Sequence, residues 1–451
     1  MIVRYAILGA AVAIAAVACS PDTADTAAPG VSVPAAPFQS TYRPMASSPT
    51  AIIGATILTG SGDEIRDGAI LMRDGRIVSV GTDIEIPENA VIIDGTGRWV
   101  TPGLIDSHSH LGAMAPPSVA AHRDVNENVN PNTAEVWIEH SIWPQDPGFD
   151  LARAGGVTSL LILPGSANLF GGRTVALRNR PGSVSVQEMK FPGAPYGLKM
   201  ACGENPKGRY GAQGRSPATR MGNVAGYRAA WIEAGDYSET DDGRDLALET
   251  LAGVLDGEIL VQTHCYRADE MAVMLDVGRE FGYRTTAFHH AVEAYKIAPL
   301  LREHDVCVAT WAGRWGFKME AADAIEENAA MLHAAGVCVA IHSDDARIVQ
   351  RLNVEASVAL SAGRRAGIDI SDAEAIAWIT ANPARIMGID EMTGTLEPGK
   401  LADVVLWSAN PFSIYALPDL VFLDGAPVFD RSEPDANTQS DLMAGRPGST
   451  L

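Results

Sequence analysis

The sequence predicts an α/β fold: a (β/α)8 barrel, with a small β-domain formed from both chain ends. Three observations carry this. Strand-like and helical patterns alternate through the middle of the chain, about eight strand candidates can be marked there, and short β-rich runs broken by Gly and Asp-Gly turns stand at both ends. The 451 residues, 47% hydrophobic and 20% charged, suffice for one large domain and a smaller one. A formal net charge of −21 argues against nucleic acid, since replacing counterions on a phosphate backbone needs a basic surface.

The chain opens with "MIVRYAILGAAVAIAAVACSPD", an apolar run too short to span a bilayer, with small residues before Cys19. "AVAC" resembles a lipobox, so residues 1–19 are expected to be a lipoprotein signal peptide in which Cys19 becomes the acylated first residue. Plain secretion with cleavage nearby is the alternative. The expected location is the periplasmic side of a bacterial membrane, and Ser20 favours the outer one. Residues 20–49, rich in Ala, Pro, Ser and Thr, read as a flexible linker.

Next, "AIIGATILTG", "GAILMRDGRIVSVG" and "AVIIDGTGRWV" read as strands of an antiparallel sheet. "GTLEPGKLADVVLW" and "LVFLDGAPVF" repeat the pattern, so residues 50–100 and 393–430 are assigned to one β-domain, 101–392 to the barrel and 431–451 to a tail. The barrel strands are expected in "GLIDSH", "GVTSLLIL", "RTVALRN", "YGLKMA", "ILVQTH", "RTTAFHH", "VCVATW" and "VCVAIHSD". Amphipathic helices are expected from Arg267 and from Glu320, whereas the Gly- and Pro-rich stretch from Pro164 to Gly222 leaves the third and fourth units poorly defined. Cys202, Cys265, Cys307 and Cys338 lie in or beside these strands without close paired spacing, and are read as buried thiols.

Polar groups collect at the strand ends. His108 and His110 are two apart, so they project from one face of a strand. His264 ends the fifth strand, His289 and His290 the sixth, and Asp344 the eighth. In a barrel these ends share one catalytic face, which points to a divalent metal site.

"TPGLIDSHSHLG", "TANPARIMGI" and "GTLEPGKLADVVLW", in this order, resemble the metal-dependent amidohydrolase superfamily, in particular its imidazolonepropionase-like branch, from about Ala51 to about Phe429. The resemblance implies a TIM-type barrel beside a β-sandwich, and hydrolysis of a carbon–nitrogen bond in an amide or cyclic amide by metal-activated water. It implies His108, His110, His264, His290 and Asp344 as ligands, with His289 pointing the opposite way and Asp345 a neighbour. "GLKM" is similar to the fourth-strand pattern in which a lysine is carboxylated, which adds Lys199; the alternative is a cationic Lys199 that pairs with Glu204 or holds a substrate carboxylate. A carbamate is anionic and can bridge two cations, whereas an ammonium cannot bind one.

On this reading one or two divalent ions, zinc by donor type, generate hydroxide, and Asp344 orients it and carries the proton to the departing nitrogen. Tyr266 and Arg267, just past His264, are candidates for contacting substrate or transition state, and His342 is a candidate partner of Asp344. The expected partners are a small-molecule or short peptide substrate and a membrane reached through Cys19; a homo-oligomer is compatible. A prolidase-like envelope dipeptidase is the closer rival, and a non-catalytic binding lipoprotein the more distant one.

Overall fold

The computed structural model describes residues 38–115, 119–237 and 243–433. Cys19, the signal segment, most of the linker and most of the tail lie outside them. Strands from both chain ends join one hydrogen-bonded sheet. β1 (Thr50–Leu58), β2 (Glu64–Arg73), β3 (Arg76–Gly81), β4 (Val91–Asp94) and β5 (Trp99–Pro102) come from the first end. β14 (Val404–Trp407), β15 (Pro418–Leu423) and β16 (Ala426–Asp430) come from the second. The sheet runs β16-β15-β14-β5-β1-β2-β3, with β4 paired to β1. It is mixed rather than wholly antiparallel, because β4 and β5 both run parallel to β1. Ile52, Ile57, Ile70, Met72, Val404 and Phe422 give it a core of its own.

All eight predicted barrel strands are present: β6 (Leu104–Ser109), β7 (Val157–Ile162), β8 (Phe170–Arg178), β9 (Gly197–Ala201), β10 (Leu260–Cys265), β11 (Ala287–His290), β12 (Cys307–Thr310) and β13 (Val339–Ile341). They neighbour one another in chain order. One departs from the expected direction: β8 is antiparallel to both β7 and β9. The cause is the connection. Only residues 163–169 separate β7 from β8, and a parallel return needs a crossover of about a dozen residues or more.

Side chains close the seam between β13 and β6. Asp106 accepts hydrogen bonds from the Ser343 backbone N–H at 3.2 Å and the Ser343 hydroxyl at 2.5 Å, while the Asp344 N–H donates to the His108 carbonyl at 3.0 Å. Burial pushes the Asp106 carboxyl up to about 6 against these hydrogen bonds.

The described helices are α1 (Pro147–Ala154), α2 (Glu204–Gly211), α3 (Arg220–Gly235), α4 (Leu246–Leu255), α5 (Ala268–Phe281), α6 (Ala298–Glu303), α7 (Asn328–Ala334), α8 (Leu352–Arg365), α9 (Asp372–Ala375) and α10 (Ala381–Ile386). In α5, Met271, Met274, Leu275 and Gly278 recur at helical spacing and are buried, and Gly282 ends the helix at φ +80°. The helix expected from Glu320 begins only at Asn328. Before it, the Glu320 carboxylate is held by the Glu204 N–H and by Arg220, which draws that segment into turns.

The reading of four buried thiols is corrected. Cys202 is bonded to Cys265 and Cys307 to Cys338, with Cα atoms 5.2 and 4.6 Å apart. The first joins β10 to the residue just after its parallel neighbour β9, and the second joins β12 to the residue just before its parallel neighbour β13. Spacing along the chain could not show this, because the partners meet only through strand order.

At the far end of the barrel, the buried Arg178 guanidinium donates to Asp403 at 2.5 and 2.7 Å and to Asp424 at 2.7 Å, tying β8 to the two-ended sheet.

Candidate metal centre and active site

His108 lies in the last pleat of β6, and His110 follows directly after its end. The Leu163 carbonyl lies 2.8 Å from His110 Nδ1 and can only accept, so Nδ1 carries hydrogen. His110 Nε2 then faces Asp344 Oδ1 at 3.2 Å, and His108 Nε2 faces the same oxygen at 3.6 Å.

Two ligand candidates leave the strand alternation. His290 has φ +71° and Asp344 φ +52°, a left-handed conformation that is costly for side-chain-bearing residues and recurs at functional sites. The turn carries both side chains to the barrel mouth. Burial pushes the Asp344 carboxyl up, but His110, His342 and Lys199 outweigh it and hold it below the usual carboxylate range.

Burial holds the imidazoles of His108, His264, His289 and His290 well below the usual histidine value, and that of His342 at about 3. These rings are therefore neutral near pH 7, as metal ligands must be. Two sets of donor atoms lie within 4.8 Å of one another: His108, His110 and Asp344, and His108, His290 and His342. His264 belongs to neither set. Its ring centroid is 4.6 Å from that of His290, but its Nε2 meets the Asn205 amide at 3.3 Å.

Lys199 is buried within the barrel and donates to the Pro164 carbonyl at 3.0 Å. Burial, opposed by Asp344, brings its ammonium down to about 8. Glu204 is paired instead with Lys318 at 3.2 Å.

The expectation for His289 is corrected. It does not point away from the site: its Nδ1 lies 2.9 Å from His108 Nδ1. Strand parity predicts one inward residue of the pair, and the positive φ of His290 brings in the other. Tyr266 reaches the site and stacks on His290 at 5.3 Å. Arg267 is turned to solvent, its fork held by Asp269 with two contacts of 2.9 Å. Asp345 is similarly engaged by Arg347, at 3.0 and 2.7 Å. His342 is buried, and neither of its ring nitrogens has a hydrogen-bond partner among the described residues. Trp311, stacked on His290 at 4.3 Å, is a site residue that sequence reasoning missed; its position at the end of the seventh strand was the available signal. A cavity of about 430 Å³ opens beside His110 and Asp344.

These donors fit a divalent cation. His110 Nε2 and the Asp344 carboxylate stand at a distance that either a proton on Nε2 or a cation bound by both atoms satisfies, and the buried Nδ1 atoms of His264 and His290 lack hydrogen-bond partners among the described residues. A barrel that gathers such donors at its mouth defines a class of metal-dependent hydrolases.

A profile of the "Amidohydrolase family" matches residues 235–438. The crystal structure of an amidohydrolase from Thermotoga maritima MSB8 is 33% identical, with a TM-score of 0.77 over 85% of this chain and 100% of that one. The chain belongs to the amidohydrolase family, enzymes that bind a divalent metal and hydrolyse carbon–nitrogen bonds. Amidohydrolase TasK of Hapsidospora irregularis is 30% identical over 456 residues, covering 89% of this chain but 46% of TasK, so the chain spans about half of that relative. An imidazolonepropionase of Aromatoleum aromaticum is 26% identical over 404 residues, 78% of this chain and 89% of the relative.

Proposed function

We propose that this amidohydrolase acts on a small amide or cyclic amide at the cell envelope, using one or two divalent ions, with zinc best suited to its imidazole and carboxylate donors. The observation that carries the reading is the convergence of His108, His110 and Asp344 at the barrel mouth, whose donor atoms lie within 4.8 Å of one another. His108, His110 and Asp344 would hold one ion; His264, His290 and a carboxylated Lys199 would hold a second. A lowered ammonium value supports the carbamate, because carboxylation requires the free amine.

When bound, the cation acidifies water and polarises the scissile carbonyl. Asp344 orients the water, accepts its proton and delivers it to the leaving nitrogen. Burial pushes the Tyr266 phenol up, so it stays protonated and can donate to the developing oxyanion. Trp311 and Tyr266 flank His290 and exclude bulk water from it.

The two-ended sheet, with its own core, is read as the β-sandwich that accompanies the barrel. Export as a protein lipidated on Cys19 is supported by the two disulfides, which suit an oxidising compartment.

Elemental analysis of the pure protein, combined with a panel of N-acyl amino acids, cyclic amides and dipeptides, tests the proposal. Bound metal with turnover of amides or cyclic amides supports it. Finding no metal, and no activity on adding Zn²⁺, Mn²⁺ or Fe²⁺, overturns it. Turnover of dipeptides alone replaces it with the dipeptidase reading.

A further inference from the structure

We propose that Gln262 and His289 are positioning residues that fix the ring tautomer of His108, so that His108 presents a lone pair rather than a proton to the metal centre. The inference rests on the metal-centre reading above.

It follows from one buried chain of polar atoms. The carbonyl of Ile386, the last residue of α10, can only accept, so Gln262 turns its Nε2 amide toward it, at 2.9 Å. Gln262 Oε1 therefore faces His289 Nε2 at 2.7 Å, and that nitrogen must carry hydrogen. A neutral His289 leaves Nδ1 as a bare acceptor, 2.9 Å from His108 Nδ1. Of two facing nitrogens one must donate, and only His108 can. Its own hydrogen being on Nδ1, a neutral His108 has an unprotonated Nε2, the atom that faces Asp344. Gln262 and His289 are fully buried and His108 nearly so, so no solvent competes for these atoms.

Register explains how the chain forms. Gln262 and His264 lie two apart on β10, and His289 pairs with His264 across the parallel ladder, so all three share the inner face. A ligating histidine commonly has its other ring N–H fixed by a carboxylate or a backbone carbonyl. Here a neutral imidazole does this, and the main chain of the "TANPARIMGI" segment sets its polarity. With Nδ1 engaged, His108 offers a single nitrogen, although it belongs to both donor sets. Those sets are therefore alternatives for His108 and cannot use it at once.

Long-range ¹H–¹⁵N spectra of the ring nitrogens, recorded on the full metal-free chain, test the assignment directly. Hydrogen on His289 Nε2 and on His108 Nδ1 is expected; hydrogen on His289 Nδ1 overturns the proposal. Zn²⁺ affinity, measured by competition with a chromophoric chelator, gives a second readout. His289→Leu should bind roughly 10–100-fold more weakly, while His289→Gln, which can accept from His108 and donate to Gln262, should stay close to the parent. Unchanged affinity in the leucine variant, or equal losses in both variants, overturns the inference. Should the leucine variant not fold, the spectra of the unaltered chain still decide. Should the unaltered chain bind no Zn²⁺, the metal-centre reading fails, and the tautomers of the metal-free chain still show whether the relay exists.

Discussion

His110 Nε2 stands 3.2 Å from Asp344 Oδ1, and the Leu163 carbonyl on the opposite ring nitrogen determines what that approach means. With Nδ1–H given to that carbonyl, Nε2 meets the carboxylate either as the second N–H of an imidazolium or as a lone pair that shares a cation with it. A bound divalent cation would displace that proton and hold both atoms as ligands. Asp344 also carries the proton in the proposed mechanism, so it has two separable duties.

Asp344→Asn should therefore reduce turnover by roughly 10²–10⁴-fold with a smaller change in KM, because an amide occupies the same space but accepts no proton. Steady-state kinetics alongside metal content check this. A fully active variant would move the proton path to another group, His342 being nearest along the strand.

Lys199→Ala removes the anion expected between two cations, and should lower metal content together with rate. A small carboxylate such as acetate or propionate in the buffer should restore part of both, since an added acid can stand in for a carbamate but not for an ammonium. Full metal content and activity without rescue would show that Lys199 bridges nothing.

Reduction should be felt in stability. The disulfides close segments of 63 and 31 residues between neighbouring barrel strands. Cys265→Ser and Cys307→Ser should each cost about 2–4 kcal/mol in denaturant unfolding. Identical unfolding curves with and without reductant would show that the bonds contribute no stability.

Arg178 is buried between Asp403 and Asp424 and donates to both. Arg178→Met strands two carboxylates away from solvent and should destabilise the fold by about 3–5 kcal/mol. Arg178→Lys should recover little of this, because one ammonium cannot reproduce the fork. Chemical denaturation of both variants measures the difference.

Cys19→Ala should shift the protein from membranes to the soluble periplasmic fraction, because acyl chains on Cys19 would be its stable anchor. Fractionation of expressing cells followed by immunodetection checks it. Partitioning like the parent would leave plain secretion or another anchor.

Much of this was readable from the sequence, and each miss has its own cause. Strand positions were readable because buried β-rich runs end abruptly in polar residues, and the pair His108 and His110 reports its own geometry through a period of two. The direction of β8 was legible too, since strands ending at Leu163 and starting at Arg173 already leave fewer residues than a parallel crossover needs, but strand and helix alternation elsewhere in the barrel masks that signal. Cysteine pairing was hidden because Cys202 and Cys265 become neighbours only through strand order. His289 was misplaced because alternation assumes extended backbone, and His290 departs from it.

The reversal of β8 has one more consequence. It replaces a helix-bearing connection with a tight hairpin whose own atoms grip the site: the Leu163 carbonyl holds His110, the Pro164 carbonyl holds Lys199, and the Ser166 hydroxyl accepts from Asn205, which in turn meets His264. Two of these three grips are main-chain atoms, which no point substitution can delete. The segment from Leu163 to Leu169 should thus reject any insertion or deletion, since either moves these main-chain atoms off the site, and this adds to the side-chain constraints set by buried Leu163 and by Gly165, where a Cβ would meet Asn126.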